Sequence, residues 1–382
     1  MISLLLLTGC SSKSDALNKY DATTTTSGFD TFITLIAYTK DKDKFDNYFE
    51  QLKKDFTYYN QLFDKYNDYK GIANVKTIND NAGIKPVKVN KELINMIELS
   101  KEYYELTNHQ FDITLGPVLN LWHDAREQGI KANEEGKETT VPSIEALQLA
   151  KQIDGYDLIE INKKESTVFL NKEGASIDVG AIAKGYAAEQ VAIKLEKNGL
   201  KHAIINAGGN VRIIGSKPSS DAWSVGIEIP NKKSMTSDSL ASIHLSKSSS
   251  FVTSGDYQRY YLHEGKMMHH IIDPSTLQPA RHARSVTVIC ENSGIGDALS
   301  TSLFTMSYED GIKLIDTLKK QGIQVDAVWL YDKNVPAPSG VKTHKVLDYD
   351  IVITDGLKDK IYFFIYLIRQ TYSFYILQRL VD

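Results

Sequence analysis

The sequence predicts an α+β fold whose strands pair mainly in the antiparallel sense. Short stretches of alternating apolar and polar residues, typical of strands, are mixed with longer stretches that carry apolar residues at helical spacing. The sequence shows no internal repeat and no series of strand–helix–strand units with a glycine-rich dinucleotide fingerprint. With 382 residues, 42% of them hydrophobic and 24% charged, the chain suffices for one large domain of two lobes or for two ordinary domains.

The individual elements follow from the same two periodicities. The first strand is predicted at 29–38, and the charged segment 125–141 is predicted to be a solvated insertion. Helices are predicted at 43–66, 90–107, 143–153, 182–198, 296–306 and 308–321. Further strands are predicted at 157–162, 166–171, 202–206, 210–215, 222–229, 240–246, 251–253, 258–263, 284–290 and 325–331.

The amino-terminal segment predicts a lipid anchor. Cys10 follows the apolar run Leu4–Leu7 and two small residues, which resembles a bacterial lipoprotein signal. An ordinary secretory signal with a chance cysteine is the alternative. We therefore expect residues 1–9 to be a signal peptide and 10–27 to be a lipidated cysteine with a flexible tether. The protein would then sit on the extracytoplasmic face of the cell membrane.

The carboxyl-terminal residues 358–382 are an atypical apolar tail. The run Ile361–Leu377 is rich in Tyr, Phe, Ile and Leu, but Arg369 and Gln370 interrupt it. Its uninterrupted part is too short to span a bilayer. We expect a last strand followed by a poorly folded segment, with a second membrane contact as the alternative. This leaves 28–357 as the globular domain.

Charge and cysteine content exclude some partners and bonds. The formal net charge of −4 indicates no broad cationic surface, so nucleic acid is not an expected partner. Cys290 ends an alternating, strand-like segment and is expected to be a buried, inert thiol. If Cys10 carries lipid, no disulfide can form within the chain.

Small and charged residues join a predicted strand to a predicted helix at Asp178–Ala187. The strand ends at Ile177 and the helix begins near Ala183, with Lys184 in its first turn. Free amides at a helix start bind anions, and a lysine there is unfavourable for the helix dipole unless an anion is bound. The segment therefore suits a diphosphate, although a tight turn with a solvated lysine explains it equally well.

Two other segments combine small and polar residues. The adjacent glycines in Asn206–Asn210 permit either close contact with a ligand or a simple hairpin turn.

Asp297 and Thr301 lie four apart on a predicted helix, so they project from one face. A carboxylate and a hydroxyl that leave room for water and phosphate are typical of Mg²⁺. The alternative is a helix cap at Asp297 and a structural hydroxyl at Thr301.

A candidate base lies in the last pair of segments, Thr253–Arg259 and His269–Thr276. The first contains a glycine turn, and the second is a strand-like run that ends in Asp273-Pro274. A lone histidine is more often structural than catalytic. His270 lies among other polar residues, however, and is therefore a candidate general base.

Taken together and in this order, these segments resemble the ApbE family of FAD:protein FMN transferases. Each segment alone is modestly specific, but several in the same order over residues 28–357 are highly specific. The segments that carry the resemblance are Phe111–Pro117, Asp178–Ala187, Asn206–Asn210, Thr253–Arg259, His270–Thr276 and Asp297–Thr301.

The resemblance implies a fold, a substrate and a metal. It implies one two-lobed, T-fold-like α+β unit that holds FAD between its lobes. It implies that Mg²⁺ is bound by Asp297, Thr301 and the backbone carbonyl of Ala181. FMN would be joined by a phosphoester bond to a Thr or Ser of a target flavoprotein, with AMP leaving. The implied FAD contacts are Tyr66, Asn120, Leu121, Trp122, Asp178, Lys184 and one of Ile271 or Ile272.

The implied reaction is physically coherent. A diphosphate repels an incoming oxyanion until its charge is neutralised, which Mg²⁺ and Lys184 would do. Either His270 or Asp273 is a candidate to take the proton from the target hydroxyl, and the sequence does not choose between them. Trp122 would either stack on a flavin or adenine ring or fill core space.

Two segments depart from the family's pattern. After Asp273–Thr276 the family has glycine where this chain has Leu277 and Gln278, so a different turn is expected. The family's early Met-Gly-Thr appears here as Phe29-Asp30-Thr31, which leaves the first FAD contact open. Neither departure touches the proposed metal ligands.

Two other functions remain open on the sequence. A Mg²⁺-dependent FAD pyrophosphatase would use the same site with water in place of the target hydroxyl. A non-catalytic flavin-binding lipoprotein is the third reading, and the pair Asp297 and Thr301 argues against it because binding alone needs no metal-activated phosphate. By analogy with the family, the target is an electron-transfer protein outside the membrane.

Overall fold

The computed structural model describes residues 16–219, 221–230, 239–369 and 372–379. The helices are α1 Lys42–Phe63, α2 Val75–Asp80, α3 Lys91–Leu106, α4 Gly116–Glu134, α5 Ile144–Lys151, α6 Ala183–Lys197, α7 Ser293–Thr305 and α8 Tyr308–Lys320. The strands of the first half are β1 Asn18–Thr24, β2 Ile33–Thr39, β3 Val87–Lys88, β4 Ile159–Asn162, β5 Thr167–Leu170, β6 Ala203–Ala207, β7 Asn210–Ile214 and β8 Trp223–Glu228. Those of the second half are β9 Ser239–Leu245, β10 Ser249–Gly255, β11 Tyr260–His263, β12 Lys266–His269, β13 Ile272–Asp273, β14 Gln278–Pro279, β15 Ser285–Cys290, β16 Asp326–Tyr331, β17 His344–Val346, β18 Tyr349–Ile353, β19 Ile361–Arg369 and β20 Tyr372–Arg379.

A nine-stranded sheet forms the centre of the molecule. Its strand order is β1-β2-β6-β7-β10-β15-β16-β18-β17. Every neighbouring pair in this sheet is antiparallel. The predicted α+β fold with antiparallel pairing is therefore confirmed.

The two faces of this sheet pack against different layers. In β16, Ala327 and Trp329 belong to a core shared with the helices, including α6 and α7, whereas Val328 and Leu330 belong to a second core. This alternation follows from the two-residue period of a strand. The second core lies between the large sheet and a four-stranded sheet of order β20-β19-β9-β8. Helices therefore cover one face and a small sheet covers the other.

The predicted tether is wrong for residues 18–24, which form strand β1. This strand pairs with β2 from Asn18 opposite Thr39 to Thr24 opposite Ile33. Its β-branched threonines suit a strand, and the side chains of Tyr20 and Ala22 pack against the helix-side core. Cys10 and the signal segment lie outside the described residues.

The tail beyond 358 contains the predicted last strand, β19, which pairs with β9. The prediction of a poorly folded segment after it is wrong for 372–379, which form β20 and pair along β19. The alternating, aromatic-rich sequence favours such a hairpin. Among the described residues, no helix is both long and apolar enough to cross a bilayer.

Helix α4 is the largest error of the sequence prediction, which made 125–141 a solvated loop. The helix begins at Gly116-Pro117, where proline is tolerated in the first turn, and ends at Glu134. Its polar residues cover an exposed face, while β11 packs tightly on Gly129: a Cβ there would lie 2.2 Å from the Cδ2 atom of Tyr261. Tertiary packing thus forms this helix despite its charged sequence.

Candidate active site

One cleft of about 640 Å³ collects most of the predicted site residues. The turn before α6, the start of α6 and the helix α7 form its floor, and α4 with the segment after α1 forms its wall. The predicted residues that line it are Tyr66, Trp122, Asp178, Ala181, Lys184, His270, Ile271, Asp297 and Thr301. Residues from five distant parts of the sequence therefore face one space.

Three predicted residues do not line the cleft. Asn120 accepts a hydrogen bond from Lys65 Nζ at 2.8 Å, and Leu121 packs against a small apolar core next to α4. Asp273 is buried and its Oδ1 accepts hydrogen bonds from the backbone and side chain of Ser275, at 2.8 and 2.7 Å. Asp273 thus holds its own turn together, and of the two candidate bases only His270 faces the cleft.

The turn before α6 has the geometry of an anion site. Oδ1 of Asp178 accepts the amide hydrogen of Gly180 at 2.8 Å, which turns the chain sharply between strand and helix. The helix starts after Ile182, whose side chain cannot cap it. Two of its first amides are already used, since Ala183 donates to the Val179 carbonyl at 2.9 Å and Gly185 donates to Asp297 Oδ2 at 2.8 Å. Lys184 lies in the first helical turn and lines the cleft, and its ammonium group suits a diphosphate.

Asp297 lies in the second turn of α7 and not at its cap. The cap is Asn292, whose Oδ1 accepts the amide hydrogens of Gly294 and Ile295. Asp297 is buried, and its Oδ2 accepts the amide hydrogen of Gly185 at 2.8 Å. Burial raises the pKa of this carboxyl, and the positive charge of Lys184 opposes that rise. A buried carboxyl of this kind gains most from a cationic ligand.

The residues beside Asp297 fit a magnesium ion. Thr301 and Ala181 line the same cleft as Asp297, so it offers carboxylate, hydroxyl and backbone carbonyl oxygens. The buried Oδ1 of Asn210 has no hydrogen-bond partner among the described residues, although its Nδ2 lies 3.5 Å from Asp297 Oδ2. In the described part of the chain no three His, Cys, Asp or Glu side chains cluster as metal ligands. A metal here would take water or phosphate oxygens as its other ligands, which is typical of Mg²⁺.

Lys65 is a cleft residue that the sequence did not identify. Its Nζ lies 2.7 Å from Asp178 Oδ2 and 5.1 Å from the ring centre of Tyr66. Burial raises the pKa of Asp178, but the ion pair with Lys65 more than offsets this and holds it below its usual value. Lys65 follows the end of α1, and no periodicity or motif marks it, so only the fold shows its role.

His270 is held in its neutral form. Burial lowers its pKa well below the ordinary value of 6.5, and the neighbouring charges of Arg259, Lys184 and Arg126 lower it further. Its Nδ1 atom is buried and has no hydrogen-bond partner among the described residues. A neutral imidazole with an unused nitrogen can accept a proton.

Two arginines were also missed as cleft residues. Arg126 lies on α4, where the sequence predicted a solvated loop, and its Nη2 lies 2.9 Å from Nδ1 of His123. Arg259 lines the cleft mouth, and neither it nor Lys184 forms an ion pair among the described residues. Arg259 and Lys184 therefore offer two cations to a phosphate-bearing ligand, in a cleft that five aspartates also line.

The turn at Leu277 keeps the backbone shape that glycine normally provides. Leu277 has φ of +60°, in the left-handed region that glycine adopts most readily. Its carbonyl accepts the indole hydrogen of Trp122 at 2.8 Å, and the Trp122 side chain is buried. Trp122 therefore fixes this turn to α4 and fills core space, while one part of it borders the cleft.

The loop Phe29-Asp30-Thr31, where the family has Met-Gly-Thr, also borders the cleft. Phe29 and Asp30 have φ of +59° and +48°. Thr31 packs against Gly208, where a Cβ would lie 2.2 Å from its Oγ1 atom. The departure from the family's residues thus leaves this loop at the edge of the site.

Comparison with known proteins agrees with this geometry. The family model described as "ApbE family" matches residues 29–326. An FAD:protein FMN transferase of Klebsiella pneumoniae is 30% identical over 275 residues, which are 71% of this chain and 80% of the relative. One of Treponema pallidum is 30% identical over 292 residues, 72% and 76% of the two chains.

Solved structures show the same fold. The ApbE protein of Thermotoga maritima has a TM-score of 0.67 and 33% identity, covering 82% of this chain and 94% of its own. The flavin transferase ApbE of Vibrio cholerae has a TM-score of 0.68 at 19% identity, covering 90% and 99%. Fold and relatives define a transferase that moves FMN from FAD to a protein. The chain belongs to the ApbE family.

Proposed function

We propose that this protein transfers FMN from FAD to a Thr or Ser hydroxyl of a target flavoprotein and releases AMP. Membership of a family whose curated relatives are FAD:protein FMN transferases supports the transfer of FMN to a protein. The observation that carries the proposal is the shared cleft. Asp178 and Lys184, Asp297 and Thr301, and His270 all line it, which supports their proposed roles toward diphosphate, metal and hydroxyl.

Mg²⁺ would be held by Asp297, Thr301 and the carbonyl of Ala181. Bound there, it would withdraw charge from the phosphate oxygens and stabilise the leaving AMP. This assignment is supported by the hard oxygen donors and by the raised pKa of the buried Asp297.

The protein's own residues would carry out the remaining tasks. Lys184 and the start of α6 would bind the diphosphate and orient it. The target hydroxyl would attack the phosphorus of the FMN half, the bond from that phosphorus to the bridging oxygen would break, and AMP would leave with that oxygen. His270 would take the proton from the hydroxyl, since its imidazole is neutral and the residue lines the cleft. The buried wall around Trp122 would limit the access of water.

The test is an intact-mass measurement on a candidate acceptor. The full chain is incubated with FAD, Mg²⁺ and an extracytoplasmic flavoprotein, with an EDTA-treated reaction as the control. We expect the acceptor to gain the mass of one FMN residue only when Mg²⁺ is present, and the gain to disappear when the acceptor Thr or Ser is replaced by Ala. Release of FMN and AMP with no mass gain, for every acceptor offered, would favour a pyrophosphatase. FAD that remains intact would favour a flavin-binding protein.

We also propose that Cys10 carries a lipid that anchors the protein to the extracytoplasmic face of the cell membrane. The apolar run Leu4–Leu7 and the small residues before Cys10 support this. In cell fractionation, Cys10→Ser should move the protein from the membrane pellet to the soluble fraction. Persistent membrane association of that variant would contradict the anchor and direct attention to the tail at 358–382.

A further inference from the structure

A buried ion pair lies one helical turn from the proposed metal ligand and has no place in the reaction described above. Glu189 on α6 and Arg212 on β7 are 4% and 6% exposed. Their side chains meet through two hydrogen bonds, from Arg212 Nε to Glu189 Oε2 at 2.9 Å and from Nη2 to Oε1 at 3.1 Å. A bidentate pair of this kind fixes direction as well as distance.

The same carboxylate holds the first residue of α7. Oε2 of Glu189 accepts the amide hydrogen of Ser293 at 2.7 Å, and Ser293 is fully buried. The remaining amides at this helix start are satisfied by Asn292. A carboxylate at a helix start is also favoured by the helix dipole. Glu189 therefore ties α7 to α6 and, through Arg212, ties both helices to the large sheet.

These contacts repeat the geometry of the contacts at the metal ligand. On α7, Ser293 and Asp297 are four residues apart; on α6, their partners Gly185 and Glu189 are also four apart. On β7, Asn210 and Arg212 are two apart and therefore project from the same face of the strand. One set of contacts joins Gly185, Asp297 and Asn210, and the second set repeats it one helical turn away with Glu189, Ser293 and Arg212.

The two helices are too close for either set to shift independently. At Gly185 a Cβ would lie 2.2 Å from the carbonyl oxygen of Ser293, and at Gly294 it would lie 3.2 Å from Cα of Tyr186. A slide of α7 along α6 would move Asp297 and Thr301 away from Ala181 and Lys184, which lie at the start of α6. The spacing of the proposed ligands thus depends on what prevents that slide.

We infer that Glu189 and Arg212 are positioning residues that set the register of α7 against α6 and thereby the geometry of the divalent-cation site. The inference rests on the proposed metal role of Asp297. It assigns no contact with FAD or the metal to Glu189 or Arg212. Residues that orient metal ligands from the next layer typically contribute a factor of about 10 to 100 in metal affinity.

The test replaces the pair without leaving a buried charge. A buried ion pair replaced on both sides by apolar residues of similar volume often keeps its stability, so Glu189→Met with Arg212→Met should fold. The control is Asp55→Met with Lys194→Met. It removes the 2.6 Å ion pair that joins Asp55 on α1 to Lys194 on α6. Each full-length variant is titrated with Mn²⁺, as a probe for the Mg²⁺ site, and the free ion is followed by electron paramagnetic resonance.

We expect the Glu189–Arg212 double variant to bind Mn²⁺ at least about tenfold more weakly than wild type. Its melting temperature should be somewhat below that of the control variant, because the buried amide of Ser293 also loses its partner. The control should bind Mn²⁺ as wild type does. Unchanged Mn²⁺ affinity in the Glu189–Arg212 variant would overturn the inference and leave the pair with a purely structural role.

Two further results keep the inference separate from the proposed function. If the double variant does not fold, Arg212→Lys decides, because it keeps the charge but loses the bidentate geometry; it should weaken Mn²⁺ binding, and wild-type binding would refute the inference. If wild type and Asp297→Ala bind Mn²⁺ equally, the metal assignment itself fails, and the inference about register fails with it. If wild type binds Mn²⁺ through Asp297 but transfers no FMN, the proposed function fails while the inference stands.

Discussion

The floor and the wall of the cleft are held by different kinds of contact. At the floor, α6 and α7 approach so closely that the backbone amide of Gly185 donates a hydrogen bond to the side chain of Asp297. The wall is connected through long side chains. There Lys65 reaches across to Asp178 and Asn120, and Tyr66 is half exposed. Backbone contacts leave little freedom, while side-chain contacts can rearrange around a ligand. Under the proposed function, the floor would fix the phosphate chemistry and the wall would adapt to the flavin nucleotide and the target protein.

The largest effect should come from the floor. Asp297→Ala removes the buried carboxylate that lines the cleft one helical turn from Thr301. Turnover of FAD should therefore fall at least about a thousandfold, because the transition state loses several kcal/mol of charge stabilisation. Release of AMP measured by chromatography checks this. Asp310→Ala, an exposed carboxylate on α8, is the control and should keep wild-type turnover. Wild-type rates in Asp297→Ala would remove Asp297 from the mechanism.

Close packing of the floor predicts the next effect. Gly185→Ala would force apart the backbone of α6 and the carbonyl of Ser293, at a cost of about 1–3 kcal/mol in the free energy of unfolding. Gly311→Ala on α8 is the matched control, because its Cβ would meet side-chain atoms and no backbone: Leu303 Cδ2 at 3.1 Å and Trp329 Cζ2 at 3.4 Å. Urea denaturation should show a large loss in the first variant and a change within about 1 kcal/mol in the second. Equal losses would mean that the α6–α7 contact is not tight.

The wall should respond in substrate binding and not in chemistry. In Lys65→Met, Asp178 loses the cation that holds it, so KM for FAD should rise about tenfold, equivalent to about 1.4 kcal/mol, while kcat changes little. Steady-state kinetics with varied FAD measures both constants. Lys42→Met removes an exposed ion pair with Asp46 and should leave both unchanged. A fall in kcat alone would place Lys65 with the catalytic floor.

The lowered pKa of His270 predicts the pH profile. A base with the ordinary value of 6.5 would lose half its activity at that pH, but His270 stays neutral below it, so the acid limb of kcat/KM should lie below pH 6.5. Because folding lowers this pKa, protonation favours the unfolded chain, and the contribution to stability declines as pH falls below the unfolded-state value. The limb should be absent in His270→Gln. A limb that persists unchanged there would assign it to another group.

The smallest effect is expected at the turn of Leu277, whose carbonyl binds Trp122 on α4. Leu277→Gly relieves about 1–2 kcal/mol of left-handed backbone strain. It also removes the packing of the side chain and raises the conformational entropy of the unfolded chain. The free energy of unfolding should therefore change by less than about 1 kcal/mol. Leu147→Ala in the same apolar core is the comparison and should cost about 2–5 kcal/mol. Thermal denaturation distinguishes them. A loss of that size at Leu277 would mean that the turn is not strained.

The sequence predicted most helices and strands because their periodicities are strong and local. It failed where tertiary contacts decide the conformation: α4 is helical because β11 and the core around Trp122 cover its apolar side, and β1 is a strand because β2 offers it an edge. It also left the choice between His270 and Asp273 open. The fold decides their positions, since one faces the cleft and the other turns inward to Ser275.

The sequence by itself determined the fold class, the family resemblance and the candidate groups for phosphate and metal, because these depend on residue types at short spacings. Only the tertiary structure brought in Lys65, Arg126 and the pair Glu189 and Arg212. Each acts through a partner far away in sequence, and no local pattern records such a partner. Short motifs therefore identify the candidate chemical groups, while contacts between distant elements set the positions of those side chains.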